Sequence, residues 1–229
     1  MVNNSGIDQD ALINMFSQAS AKQGEELRKA VKDATLKALQ ARELSLKNIR
    51  TVLKSVTEAA SAGAAKSLAP PVDVEELLGK ALSGMDAALL QAVEANRKAL
   101  QQFVDQGAGL QEKQLKGALA TIEKFEDTLF ETVSKATQGL STPLQGPWEQ
   151  ALSAMKLKGT DTGAQAAQTV QQLMAQAQTA LRDSRATSTR AAQAMLDSYA
   201  ALVSGVLIGM SEALGQTKAA SSPKGRSRG

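Results

Sequence analysis

Only five prolines interrupt this chain, and they fall in three places: Pro70 with Pro71, Pro143 with Pro147, and Pro223. A proline inside a helix removes a backbone donor and clashes with the preceding turn, so each place marks an expected helix end. Between these breaks apolar residues recur at helical spacing, and no strand-like alternation bounded by turn signals appears. The expected fold is all-α, with long amphipathic helices in an elongated antiparallel bundle or coiled-coil-like arrangement. The breaks divide it into a long helical segment over 1–70, a second over 71–142, and a short helix plus a third long helix over 143–217. Residues 218–229, rich in Ser, Gly and basic side chains, read as a disordered basic tail.

Within the first segment Asp8 is a candidate N-cap, with Ile7 placed to staple against Leu12. After Gly24 the pattern runs to about Leu68 as one seam, Leu39, Leu46, Leu53 and Ala60 lying seven residues apart and Ile49, Val56 and Gly63 filling the alternate heptad positions. Ala62-Gly63-Ala64 marks either a close helix crossing or a frayed end. In the second segment Asp73 and Glu76 have the spacing of a capping box. Its seam runs Leu82, Met85, Leu89, Ala92, Asn96, Ala99 and Phe103, and resumes after Gly107-Ala108-Gly109 with Leu115, Leu119, Ile122, Leu129 and Val133. Asn96 on this apolar face reads as a polar group that sets register, the alternative being a ligand contact. The third segment opens near Pro147 and Trp148 with a helix to about Leu157. It turns at Gly159–Gly163 and restarts on a capping box of Thr162 and Gln165.

The last long helix holds the main candidate for function, the charge-free stretch Ser198 to Ser211. Ala201, Gly205, Gly209 and Ala213 recur every fourth position, which on a helix stacks small side chains into a groove where another backbone can approach. Leu202, Val203, Val206, Leu207, Ile208 and Met210 form an apolar surface around that groove, which something apolar has to cover. A bilayer span needs about 20 apolar residues, so this run points to a helix contact or an apolar interface and not to a transmembrane span. Self-association through the groove, giving a homo-oligomer, is the expectation.

Composition narrows the chemistry. The chain has no histidine and no cysteine, which excludes zinc fingers, thiol nucleophiles, Ser-His-Asp triads and disulfide scaffolds. The acidic cluster Glu123, Glu126, Asp127 and Glu131 lacks the histidine a di-iron carboxylate bundle requires, and reads as a solvated face. No catalytic residue, metal ligand or cofactor is expected. Aromatic residues make up 3% of the chain against 43% hydrophobic, so the core is expected to be one of Ala, Leu and Val. The first 25 residues are polar and acidic, unlike a secretory signal, and a cytoplasmic protein is expected. Lys218, Lys224, Arg226 and Arg228 put four cations in the tail of a chain whose net charge is +3. With no aromatic side chains interleaved to stack bases, the tail reads as solubilising, and nucleic acid is not the expected partner.

The stretch AVEANRKALQQFVDQG, Ala92 to Gly107, places Asn96, Leu100, Phe103 and Val104 on an alanine-rich amphipathic helix. In this stretch, and in its long Ala, Gln, Lys and Leu helices, few aromatics and basic tail, the chain resembles the bacterial phasins, helical proteins that coat polyhydroxyalkanoate granules. An uncharacterised bacterial helical family of similar style is the other reading. The phasin resemblance implies granule binding, self-association and no catalysis, and it carries over no catalytic residue. The alternative function is a self-associating cytoplasmic scaffold whose basic tail meets an acidic partner.

Overall fold

Asp8 sits where the first helix must begin, and its carboxylate accepts the backbone N–H of Ala11 at 3.1 Å. Ile7 and Leu12, the expected staple pair, are both buried. This is a computed structural model, and it describes residues 6–19, 23–66, 71–105, 112–138, 140, 142–183, 203 and 206–208. Among the described residues seven helices follow in order, α1 (Gln9–Gln18), α2 (Gly24–Gln40), α3 (Leu46–Lys66), α4 (Pro71–Asp105), α5 (Glu112–Thr137), α6 (Thr142–Lys158) and α7 (Asp161–Asp183), and residues 203 and 206–208 are helical as well. The fold is all-α, with no strand among the described residues. The helices pack as a bundle with α4 at its centre, touching α2, α3, α5, α6 and α7, while α1 lies on α3. Buried side chains from all three proline-bounded segments join one apolar core.

Four boundaries differ from the sequence reading. The run from Gly24 to Leu68 is broken at residues 41–45 into α2 and α3. There Ser45 starts α3, its hydroxyl accepting the Asn48 N–H at 3.3 Å, and the seam holds from Leu53 through Ile49, Val56 and Ala60, all buried. The break lets α2 lie along α4 while α3 lies on α1 and α5. The second difference is that α4 opens at Pro71, so Asp73 falls inside the first turn; proline's fixed φ suits that position, where its missing N–H would have no helical partner. Thirdly, Pro147 lies inside α6 instead of ending a helix. It costs one backbone hydrogen bond, but the next residue, Trp148, is fully buried and its indole N–H donates to Ser61 Oγ on α3 at 3.0 Å. That anchor holds α6 against the core across the proline. The fourth concerns α7, which is capped by Thr160, two residues before the expected Thr162.

Alanines and glycines carry the closest approaches. On α4, Ala81, Ala88, Ala92, Ala95 and Ala99 are all fully buried, so neighbouring helices come near its backbone. At Gly63 an added Cβ would lie 2.4 Å from Phe16 Cβ and 2.7 Å from the Ile13 carbonyl oxygen, which makes Ala62-Gly63-Ala64 a close crossing of α1 over α3. Gly84 does the same for α4 and α2, its missing Cβ position lying 2.5 Å from the Arg28 carbonyl oxygen and 2.9 Å from Val31 Cβ. Beside that crossing Arg28 Nε donates to Ser83 Oγ at 3.0 Å, and Lys80 Nζ meets Glu25 at 2.5 Å. This bond and charge hold the Glu25 carboxyl below the usual carboxylate range.

Candidate functional site

Four residues of the apolar C-terminal stretch are described, and they divide between two sides. Val203 and Leu207, expected to lie in a helix contact or at an apolar interface, are 2% and 1% exposed and join the core. Four residues apart on a helix, they share one face, and that face is seated. Gln40, the last residue of α2, ties the segment down by donating its side-chain amide to the Leu207 carbonyl at 3.1 Å. Val206 is partly buried against the core, and Ile208 is 41% exposed. The structure thus brings Val203, Val206 and Leu207 together at the bundle and leaves Ile208 outward. Leu202, Met210, the groove residues Ala201, Gly205, Gly209 and Ala213, and the tail cations Lys218, Lys224, Arg226 and Arg228 lie outside the described residues. Asn96 is 7% exposed, and its amide donates to the Ala92 carbonyl one turn back on α4 at 2.8 Å.

A second constellation, unforeseen from the sequence, assembles where α7 begins. The first backbone N–H groups of a helix have no partner within it and carry partial positive charge. Here they are met by a carboxylate from α4 and by the preceding Thr160, which is itself held by α5. Asp86 on α4 accepts the Asp161 N–H at 3.1 Å on one carboxylate oxygen and the Thr162 N–H at 3.2 Å on the other. Thr162 in turn donates its hydroxyl to the Asp86 backbone carbonyl at 2.9 Å. Thr160 Oγ accepts the Gly163 N–H at 2.8 Å and donates to Glu126 on α5 at 2.6 Å. The absence of a Cβ at Gly163 lets the Glu126 carboxylate come close to the α7 backbone; a larger residue there would have to displace that side chain. Gln165 donates to Glu94 on α4, which also pairs with Arg97 at 3.0 Å.

The chain reaches this clasp through Gly159, whose φ of +80° follows the end of α6 in the left-handed conformation that glycine adopts without strain. Asp86 is 4% exposed, and burial pushes its carboxyl above the usual range although the hydrogen bonds from Thr162 and Asp161 pull the other way. Glu126, read from sequence as part of a solvated acidic face, is instead half-buried against Thr160. Two sequence signals point to the clasp: Asp86 falls next to Met85 in the otherwise apolar seam of α4, and Gly159-Thr160 has the form of a helix end followed by a cap. No grouping of three or more carboxylates suited to a metal ion occurs among the described residues, and no helix among them is long and apolar enough to cross a membrane.

An all-α bundle, centred on an alanine-lined helix and closed by a carboxylate clasp, is the class these features define. The chain belongs to the family of unknown function DUF6781, whose profile matches residues 2–216. Neither a curated protein nor a solved structure matches it.

Proposed function

We propose that this is a non-catalytic, phasin-like coat protein of the cytoplasm that binds a hydrophobic polyester surface, of the polyhydroxyalkanoate granule type, through its amphipathic helices. The observation that carries the reading is the two-sidedness of the C-terminal apolar segment. Its inner residues Val203 and Leu207 are seated in the bundle while Ile208, next to Leu207, stands 41% exposed. An aliphatic side chain held outward on an anchored helix offers area to an apolar phase without unfolding the protein, and each such contact contributes roughly 25 cal/mol per Å² removed from water. The alanine-lined face of α4 supports the reading further, since small contacts allow helices to separate from it at lower cost than large interlocked ones.

The test is partition of the purified chain onto polyester particles, followed by depletion from the supernatant. Wild type should bind, and Ile208→Ser combined with Val206→Ser should weaken binding while the far-ultraviolet circular dichroism stays helical. Deleting residues 218–229 removes four cations but little apolar area, so it should change the salt dependence and leave adsorption to a neutral polyester largely intact. Absence of particle binding in wild type rejects the coat. One observation favours the second reading, a self-associating scaffold: the close contacts at Gly63 and Gly84 are helix to helix, which is the use a scaffold would make of Gly205 and Gly209. An oligomer that Gly205→Leu with Gly209→Leu dissociates, in a protein that ignores particles, would support it.

A further inference from the structure

A groove of 330 Å³ runs between α3 and α5, lined by Arg50, Thr51, Lys54, Glu131, Thr132, Lys135 and Ala136. Helical spacing puts Arg50 and Lys54 on one side and Glu131 and Lys135 on the other, so three cations and one carboxylate face a single concavity. Their present pairings are weak. Lys54 meets Glu58 and Lys135 meets Glu131 at 3.7 Å each, within one helix and with the side chains largely exposed, the geometry in which an ion pair holds its cation least firmly. Arg50 makes no ion pair or hydrogen bond among the described residues, and its planar fork matches two oxygens of one anion.

A second observation is independent of the charges. Thr132 is 8% exposed, lines the groove and makes no hydrogen bond among the described residues, so its hydroxyl stands ready as a donor between the cations. Its neighbour Thr51 is different, having spent its hydroxyl proton on the Lys47 carbonyl at 3.0 Å.

We propose that this groove binds a small phosphoryl anion, held by Arg50, Lys54 and Lys135 with the Thr132 hydroxyl donating to it. A carboxylate would be satisfied by the Arg50 fork alone. Donors converging from two helices, carrying a net charge of two once Glu131 is subtracted, fit the several oxygens and the double charge of a phosphate or diphosphate. The site lies on α3 and the last turns of α5, apart from the C-terminal segment and sharing no residue with the α7 clasp, to which α5 contributes Glu126.

The probe is inorganic pyrophosphate, titrated into the full-length chain at low ionic strength and followed by calorimetry and by amide chemical shifts. Saturable binding is expected, with shifts centred on residues 50–54 and 131–136. Arg50→Gln and Lys135→Gln should each weaken it about tenfold, the loss expected of one charge-assisted bond, at unchanged melting temperature because both side chains are exposed. Lys124→Gln, which removes the same charge from an exposed position of α5 outside the groove, should leave the affinity as it was. Thr132→Val should weaken binding without weakening the fold. Competition by glycerol phosphate at lower concentration than by inorganic phosphate would assign the natural ligand to phosphate esters, and the reverse order to the free anion. The proposal is overturned if wild type shows no saturable binding, or if Lys124→Gln weakens binding as much as Arg50→Gln does, since that would be diffuse charge attraction and not a site.

Discussion

At Gly63 and Gly84 helices meet with no space for a methyl group, whereas at the start of α7 they meet through carboxylate oxygens of α4 and α5 that accept hydrogen bonds. The glycine crossings join α1 to α3 and α2 to α4 chiefly by shape, the polar contacts beside Gly84 lying at its partly exposed edge. The clasp joins α7 to its neighbours by satisfying amides that α7 cannot satisfy itself, at the expense of burying the Asp86 carboxylate. Shape complementarity tolerates almost no change in volume but is indifferent to acid and salt. A carboxylate clasp tolerates changes of volume better but answers to protonation. The two kinds of contact, which on α4 lie only two residues apart at Gly84 and Asp86, are therefore expected to fail under different conditions, and three measurements can break or sharpen that contrast.

The largest effect belongs to the crossings. Gly84→Ala would place a methyl group 2.5 Å from the Arg28 carbonyl oxygen, a backbone atom that cannot swing aside. Alanine normally favours a helix over glycine by about 1 kcal/mol, so a simple propensity argument predicts stabilisation. Overpacking at a rigid contact costs more, and a net loss of about 2 kcal/mol is expected, with the same sign at Gly63→Ala. Urea denaturation checks it. A variant at least as stable as wild type would show that the helices shift apart freely and that the crossings are loose.

Asp86→Ala comes second. It leaves the Asp161 and Thr162 amides without their acceptor, and loss of a helix cap costs about 1–2 kcal/mol. The location of the loss discriminates more sharply than its size. Amide hydrogen exchange should accelerate over the first turns of α7 and remain unchanged in α1, α2 and α3, because the Asp86 carboxylate bonds to α7 and takes no part in the crossings. Uniform acceleration throughout the chain would mean that the clasp is part of the global core and that the contrast between the two regions is false.

What the sequence revealed follows the same division. Repeating apolar spacing is a local property, so the all-α class, the Asp8 cap with its Ile7 and Leu12 staple, and the seams through Leu82, Met85 and Leu89 or Leu119 and Ile122 are legible one segment at a time. Ala62-Gly63-Ala64 was legible as either a crossing or a frayed end, and without a partner, since nothing in the sequence pairs Gly63 with Phe16. The break between α2 and α3 was hidden because Leu39 and Leu46 keep heptad spacing across it, and tertiary packing against two different neighbours decides the matter. Pro147 misled for a related reason: the cost of a proline inside α6 is local, while the Trp148 anchor to Ser61 is not. In the C-terminal stretch the apolar character of Val203 and Leu207 was legible, but which of its faces the bundle would take was not, because the side chain of Gln40 that meets Leu207 lies far away along the chain. The clasp was least legible of all, its parts coming from Asp86, Glu126 and residues 160–165.

The smallest expected effect, and the one that tests the electrostatic nature of the clasp, is a pH dependence isolated by comparing wild type with Asp86→Asn. Burial raises the Asp86 carboxyl above its unfolded value of 3.8. Between 3.8 and the raised folded value the native protein therefore holds a proton that the unfolded chain has released. By linkage the stability that titration of this group contributes is fully present below the unfolded value and declines as pH rises through the folded one. Asparagine does not titrate, and the other carboxylates are common to both proteins, so subtracting one stability curve from the other leaves Asp86 alone. The difference should move in favour of wild type as pH is lowered from neutral through this window and level off below it, while the difference between wild type and Gly84→Ala should stay flat. If wild type instead loses ground to Asp86→Asn on acidification, the bonds from Asp161 and Thr162 to the charged form outweigh its burial, and the clasp is an anionic cap whose protonation would release α7.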